Sequence, residues 1–121
     1  MAEPLAYAAI ENKMRQTVKE LDQLVEDIAE AGYQAATKEA AWQLKFASER
    51  ITYRAMQEKD GKKATADQVT DWATVESAEE NEAHLLAKNQ LTVLRSALSA
   101  KQEALSALRT LAASHRAATS G

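Results

Sequence analysis

The residues most able to do chemistry lie in one basic block with rings set among it. Lys38, Lys45, Arg50, Arg54, Lys59, Lys62 and Lys63 accompany Trp42, Phe46 and Tyr53. Single-stranded nucleic acid is bound by this combination, because cations track phosphates while flat rings stack on bases. The candidate nucleic-acid residues are therefore Lys45, Arg50, Arg54, Lys59, Lys62 and Lys63. The same residues have a plainer reading. Rings at helical spacing commonly form a core or an interface, and Lys and Arg on a helix commonly form a solvated face. Other chemistry is poorly provided for. The chain has no Cys and only two His. It has no glycine-rich phosphate loop and no His-Glu-x-x-His pair. His84 has Glu80 one turn before it and Lys88 one turn after, which reads as a surface histidine on a charged helix. Glu79-Glu80-Asn81-Glu82 lacks the glycine-bearing loop that converges oxygen ligands on a cation, and a helix spreads such side chains around its circumference. The expectation is a noncatalytic protein without catalytic residues, metal ligands or cofactor.

The elements that would carry this block are helices. One Pro and three Gly in 121 residues leave few breakers. Ala, Leu, Glu, Lys and Gln dominate, and these side chains lose little freedom in a helix. Pro4 suits a first helical turn. Tyr7, Ile10, Met14, Thr17, Leu21, Leu24, Ile28 and Ala31 then alternate spacings of three and four, which makes a seam along one helix face. Gly32 is a weak point that predicts a kink or a loosening. The following segment has two apolar faces. Ala40, Leu44, Ala47, Ile51 and Ala55 lie on one side, with Trp42, Phe46 and Tyr53 nearly opposite. The clearest break is Lys59-Asp60-Gly61-Lys62-Lys63, since Asp-Gly is a turn signal. Thr65 and Gln68 have capping-box spacing. A second long helix is expected from about 66 to 118. Its later seam is Leu91, Leu94, Leu98, Lys101, Leu105, Leu108 and Ala112.

Charge agrees with this layout. Residues 1–36 carry net −4, residues 37–63 net +3, residues 64–82 net −6 and residues 83–121 net +4. A fold at Gly61 sets each block against its opposite and the two seams face to face. The expected architecture is all-α, a single domain over residues 1–121. It is a long antiparallel helical hairpin with helices at about 4–58 and 66–118 and a turn at 59–65. The rival layout breaks at Gly32 and folds residues 4–31 back as a third helix. A two-helix hairpin covers one stripe per helix, so one apolar face of residues 33–58 stays open. Trp42, Phe46 and Tyr53 are the expected interface residues, and a homo-oligomer is the expected state.

No apolar run approaches the about 20 residues that cross a bilayer. No basic-then-apolar leader stands at the start. With no Cys, a cytoplasmic setting and no membrane partner are expected.

Three stretches carry a resemblance. They are Ala41-Trp42-Gln43-Leu44-Lys45-Phe46-Ala47, then Gly61-Lys62-Lys63-Ala64-Thr65, then Leu91 to Leu98 running into Leu105 to Arg116. Together, over about residues 38–118, they resemble small helical proteins of tailed phages grouped with the UvsY-type recombination mediators. The likeness is one of helix faces and offers no short signature to transfer. It implies a noncatalytic recombination accessory that oligomerises, binds single-stranded DNA, and engages a recombinase or a single-strand-binding protein in the host cell cytoplasm. The alternative is a coiled-coil interaction factor without a nucleic-acid role, such as an assembly chaperone or an inhibitor of a host protein.

Overall fold

The computed structural model describes residues 2–120, with side chains for 6–119. The described residues form three α-helices and no strand: α1 Ala2–Lys59, α2 Ala66–Glu76 and α3 Ala78–Ser120. The fold is all-α.

α1 runs through Gly32 without a break. A helix-interior glycine costs roughly 1 kcal/mol relative to Ala. That is too little to end a helix whose next residues, Tyr33, Gln34, Ala35 and Ala36, all continue it. The three-helix alternative with a turn at Gly32 is thereby excluded. α1 ends where the Asp-Gly pair predicts. Gly61 takes φ +72°, a left-handed value that costs a residue with a Cβ. Its N–H donates to the Glu58 carbonyl at 3.0 Å, and that of Lys62 donates to Gln57 at 2.8 Å. This pairing closes the helix end as a Schellman motif.

α2 starts on the expected capping box. The Thr65 hydroxyl accepts from the Gln68 N–H at 3.2 Å, and Gln68 Oε1 accepts from the Thr65 N–H at 3.1 Å. The single helix expected over 66–118 is, however, two. Ser77, fully buried, leaves helical geometry at φ −105°, ψ 11°. Its hydroxyl donates to the Ala73 carbonyl at 2.6 Å, and its own N–H donates to the same oxygen at 3.0 Å. Such back-bonding competes with the helical ladder. Neither Gly nor Pro marks this joint.

The chain forms two compact units. The terminal unit comprises Met1–Ala29 and Thr92–Gly121. Its α1 seam, from Tyr7 to Ile28, points inward at every expected position, and so do Leu94, Leu98, Lys101, Leu105, Leu108 and Ala112 of α3. Tyr7 meets His115 at 5.4 Å between ring centroids, and Glu20 pairs with Lys101. The partner number falls as the α1 number rises, so the two segments run antiparallel. Thr17 is buried on the α1 seam because its hydroxyl donates to the Lys13 carbonyl at 2.7 Å.

The central unit is Glu30–Leu91. It contains the second half of α1, the turn, α2 and the first turns of α3. Val69, Ala73 and Ser77 of α2 and its joint, with His84 of α3 and Ala31 of α1, are its buried residues. Here too the contacts run antiparallel, from Trp42 with His84 to Tyr53 with Trp72.

Candidate interaction surface

The candidate surface lies on the second half of α1, within the central unit. The helix turns about 100° per residue, so Trp42, Phe46, Glu49 and Tyr53 share one face, and Leu44, Ala47, Ile51 and Ala55 share the opposite one. Only one of these faces can look toward α2 and α3.

The rings take the inner face. Trp42 stacks on His84 with centroids 5.4 Å apart and planes 5° from parallel. Phe46 tilts against Trp42 at 6.3 Å. Tyr53 stacks on Trp72 of α2 at 5.2 Å. The Trp72 indole N–H donates to Glu49 Oε2 at 3.1 Å, and Glu49 Oε1 meets the Lys45 ammonium at 3.1 Å. Glu49 thus ties a ring of α2 to a cation of α1. Lys45, and then the indole N–H, hold its carboxyl below the usual carboxylate range, while Glu49 raises Lys45 above the usual lysine value.

This corrects which apolar face of the segment is uncovered. Trp42, Phe46 and Tyr53 are half-buried inside the unit and are not the uncovered stripe. The uncovered stripe is the aliphatic one. Leu44 is 71% exposed, Ile51 69% and Tyr33 66%. Thr37, Ala40 and Ala47 lie between them at helical spacing, Ala55 lies one turn beyond, and all four are exposed as well. Both faces are legible in the residue pattern. What was not legible is which of them α2 would cover. α2 brings Trp72, and a ring layer accepts a further ring with its N–H satisfied more readily than a stripe of Ala and Leu does.

The six cations proposed for nucleic acid separate into two groups. Lys45 is engaged by Glu49. The Arg50 guanidinium lies 5.9 Å from the Phe46 ring centroid, in cation–π range. Arg54, Lys59, Lys62 and Lys63 are exposed, and none makes an ion pair with another described residue. These four gather at the end of α1 and the turn after it. The rings meant to stack on bases are not with them: Trp42, Phe46 and Tyr53 are already in contact with other rings of the unit.

His84 is a second correction. It is only 9% exposed, as the stacking partner of Trp42, and is not a surface histidine. Its Nδ1, and Oε2 of Glu80 one turn earlier on α3, are buried without a hydrogen-bond partner among the described residues. The described residues contain no group of three or more His, Asp or Glu able to hold a metal ion. No helix among them is long and apolar enough to cross a membrane. Comparison with protein-family models, with curated proteins and with solved structures returns no match to this chain.

Proposed function

We propose that the protein is a noncatalytic interaction factor that acts by docking another protein surface on the outer face of α1. The observation that carries this reading is the Tyr33–Leu44–Ile51 stripe. Single exposed apolar residues are ordinary on any protein. A stripe that recurs every three or four residues over about five turns is not, because one face of a helix then stays in water with no internal partner. On the inner face, Glu49 and Lys45 are spent on each other and on Trp72. A photo-crosslinking residue placed at Leu44 should capture protein in trans in the cells that make this chain, and one placed at Trp42 should not. If position 44 captures nothing, the reading fails.

A second reading is favoured by one observation, the cluster of unpaired cations Arg54, Lys59, Lys62 and Lys63. It is the reading in which the protein resembles a recombination mediator, assembling and holding single-stranded DNA for a recombinase. With the rings engaged internally, binding there would rest on phosphate contacts. Affinity for an oligonucleotide would then fall with salt at a log–log slope near −0.7 per phosphate contacted, and it would not discriminate among base sequences. The double change Lys62→Glu and Lys63→Glu would weaken it and leave helix content unchanged, since both side chains stand in the exposed turn. An unchanged affinity in that variant, or no shift at low salt in the natural chain, removes this reading.

A further inference from the structure

We infer that the occupant of the α1 stripe is a second copy of this chain, paired antiparallel across a two-fold axis. The inference rests on the interaction reading above and names its partner. Its basis is the order of side chains along the stripe and the charges at its two ends. From Glu30 the outer face reads Glu30, Tyr33, Thr37, Ala40, Leu44, Ala47, Ile51 and Arg54, and every residue in it is exposed. An acid closes one end and a base closes the other. A parallel second copy would set Glu30 beside Glu30 and Arg54 beside Arg54, and like charges repel. An antiparallel copy reverses the order. When Leu44 of one chain lies against Ala40 of the other, Thr37 meets Ala47, Tyr33 meets Ile51 and Glu30 meets Arg54. Each pairing occurs twice by symmetry.

The alternation of size supports this register. At the centre a Leu faces an Ala, twice, so the axes can approach closely without a void, as knobs meet holes in paired helices. The neighbouring layer, Thr37 with Ala47, is again small. The larger pair, Tyr33 with Ile51, falls toward the ends, where two curving helices have more room. Sliding one copy so that Leu44 meets Ala47 would place Tyr33 against Glu58 and set Glu30 opposite Gly61, past the end of the partner's helix. Of the side positions nearest the stripe, Ala36, Ala41, Gln43 and Ser48 carry no charge, and the charged one, Arg50, has its guanidinium over the Phe46 ring of its own helix. Glu30 is free to turn toward a partner, because its one described contact is an exposed hydrogen bond from Gln34 on its own helix. The pairing would also engage Arg54, leaving Lys59, Lys62 and Lys63 as the open cations of each subunit.

Sedimentation of the purified full chain reads this out. The natural protein is expected to sediment as a reversible dimer at micromolar concentration. Leu44→Glu should weaken the dimer at least about a hundredfold, because two carboxylates would be buried near the axis. Leu86→Glu, an equally open apolar position off the stripe, should leave the dimer intact, and circular dichroism should report the same helix content for all three proteins. Glu30→Arg and Arg54→Glu should each weaken it by up to about tenfold, and the double exchange should restore it. A natural chain that stays at 13.2 kDa at about 100 μM overturns the inference, and so does a dimer indifferent to Leu44→Glu. A double exchange no tighter than the single ones overturns the antiparallel register. A monomer whose position 44 captures a different protein in cells ends self-pairing while the interaction reading stands. A position 44 that captures nothing ends both.

Discussion

The terminal and central units solve the same packing problem with different side chains. In the terminal unit two aliphatic seams meet, and even the polar members fit: Thr17 is satisfied by its own helix, and Lys101 pairs with Glu20. The central unit is built on rings. Trp42, Phe46, Tyr53, Trp72 and His84 fill it, Glu49 anchors one indole, and two buried polar atoms have no hydrogen-bond partner among the described residues. An unpaired buried acceptor costs about 1–3 kcal/mol. The heptad-built unit is therefore the better satisfied of the two, and the ring-built unit carries the open aliphatic stripe. In the terminal unit the α1 seam covers the main apolar stripe of its segment and leaves only the flanking Val18 and Val25 open among the segment's described large apolar residues. A ring layer covers one stripe of a helix that has two.

The largest expected effect separates the two faces of α1. Trp42→Ala should destabilise the chain by about 3 kcal/mol, at the low end for a truncated core indole because the ring is half-buried. Leu44→Ala should change the stability of the isolated chain by less than about 0.5 kcal/mol. Urea unfolding followed by circular dichroism, at concentrations too low for association, makes the comparison. Equal losses would mean that the inner and outer faces are wrongly assigned.

In the terminal unit, Leu105→Ala should cost about 2–3 kcal/mol in the same experiment, since Leu105 is the largest side chain buried there. A cost below about 1 kcal/mol would show that the aliphatic seam is looser than its pattern implies.

A smaller effect of opposite sign is expected at Gly32. A Cβ built there meets nothing within 4 Å, and the backbone is already helical. Gly32→Ala should therefore raise stability by roughly 0.5–1 kcal/mol. A destabilised variant would indicate that the helix bends at this point.

The smallest effect is the pH dependence of the two ion-paired carboxylates. Lys101, then Gln16, hold the Glu20 carboxyl below its usual range in the terminal unit, and Glu49 is held low in the central one. A depressed carboxyl contributes stability above the unfolded-chain value, about 4.3, and loses it as pH falls through the lower folded value. Lys45 is raised, so its contribution is complete below about 10.4 and fades as pH rises through the higher folded value. The thermal midpoint should be level across neutral pH and fall slightly at both extremes. Glu49→Gln should remove the alkaline fall and part of the acid one. An unchanged profile would show that the Lys45–Glu49 pair adds nothing in solution.

Much of this molecule was legible in its residues. Seams with three-four spacing mark an inner face without reference to any partner, because an apolar stripe on a helix has to be covered. That reasoning located Tyr7 to Ile28 and Leu94 to Ala112. Local chemistry set the helix ends: Gly61 alone among its neighbours enters the left-handed region at little cost, and Thr65 with Gln68 satisfies two backbone N–H groups by itself. The composition likewise made the fold all-α. The tertiary structure decided what local rules leave balanced. Residues 33–58 present two stripes of similar apolar character, and only the arrival of Trp72 on α2 turns the ring stripe inward and leaves Leu44 and Ile51 outside. The joint at Ser77 is of the same kind. Buried Thr17 makes the same back-bond and its helix runs on unbroken, so the joint at Ser77 is decided by how α2 and the start of α3 pack and not by the serine alone.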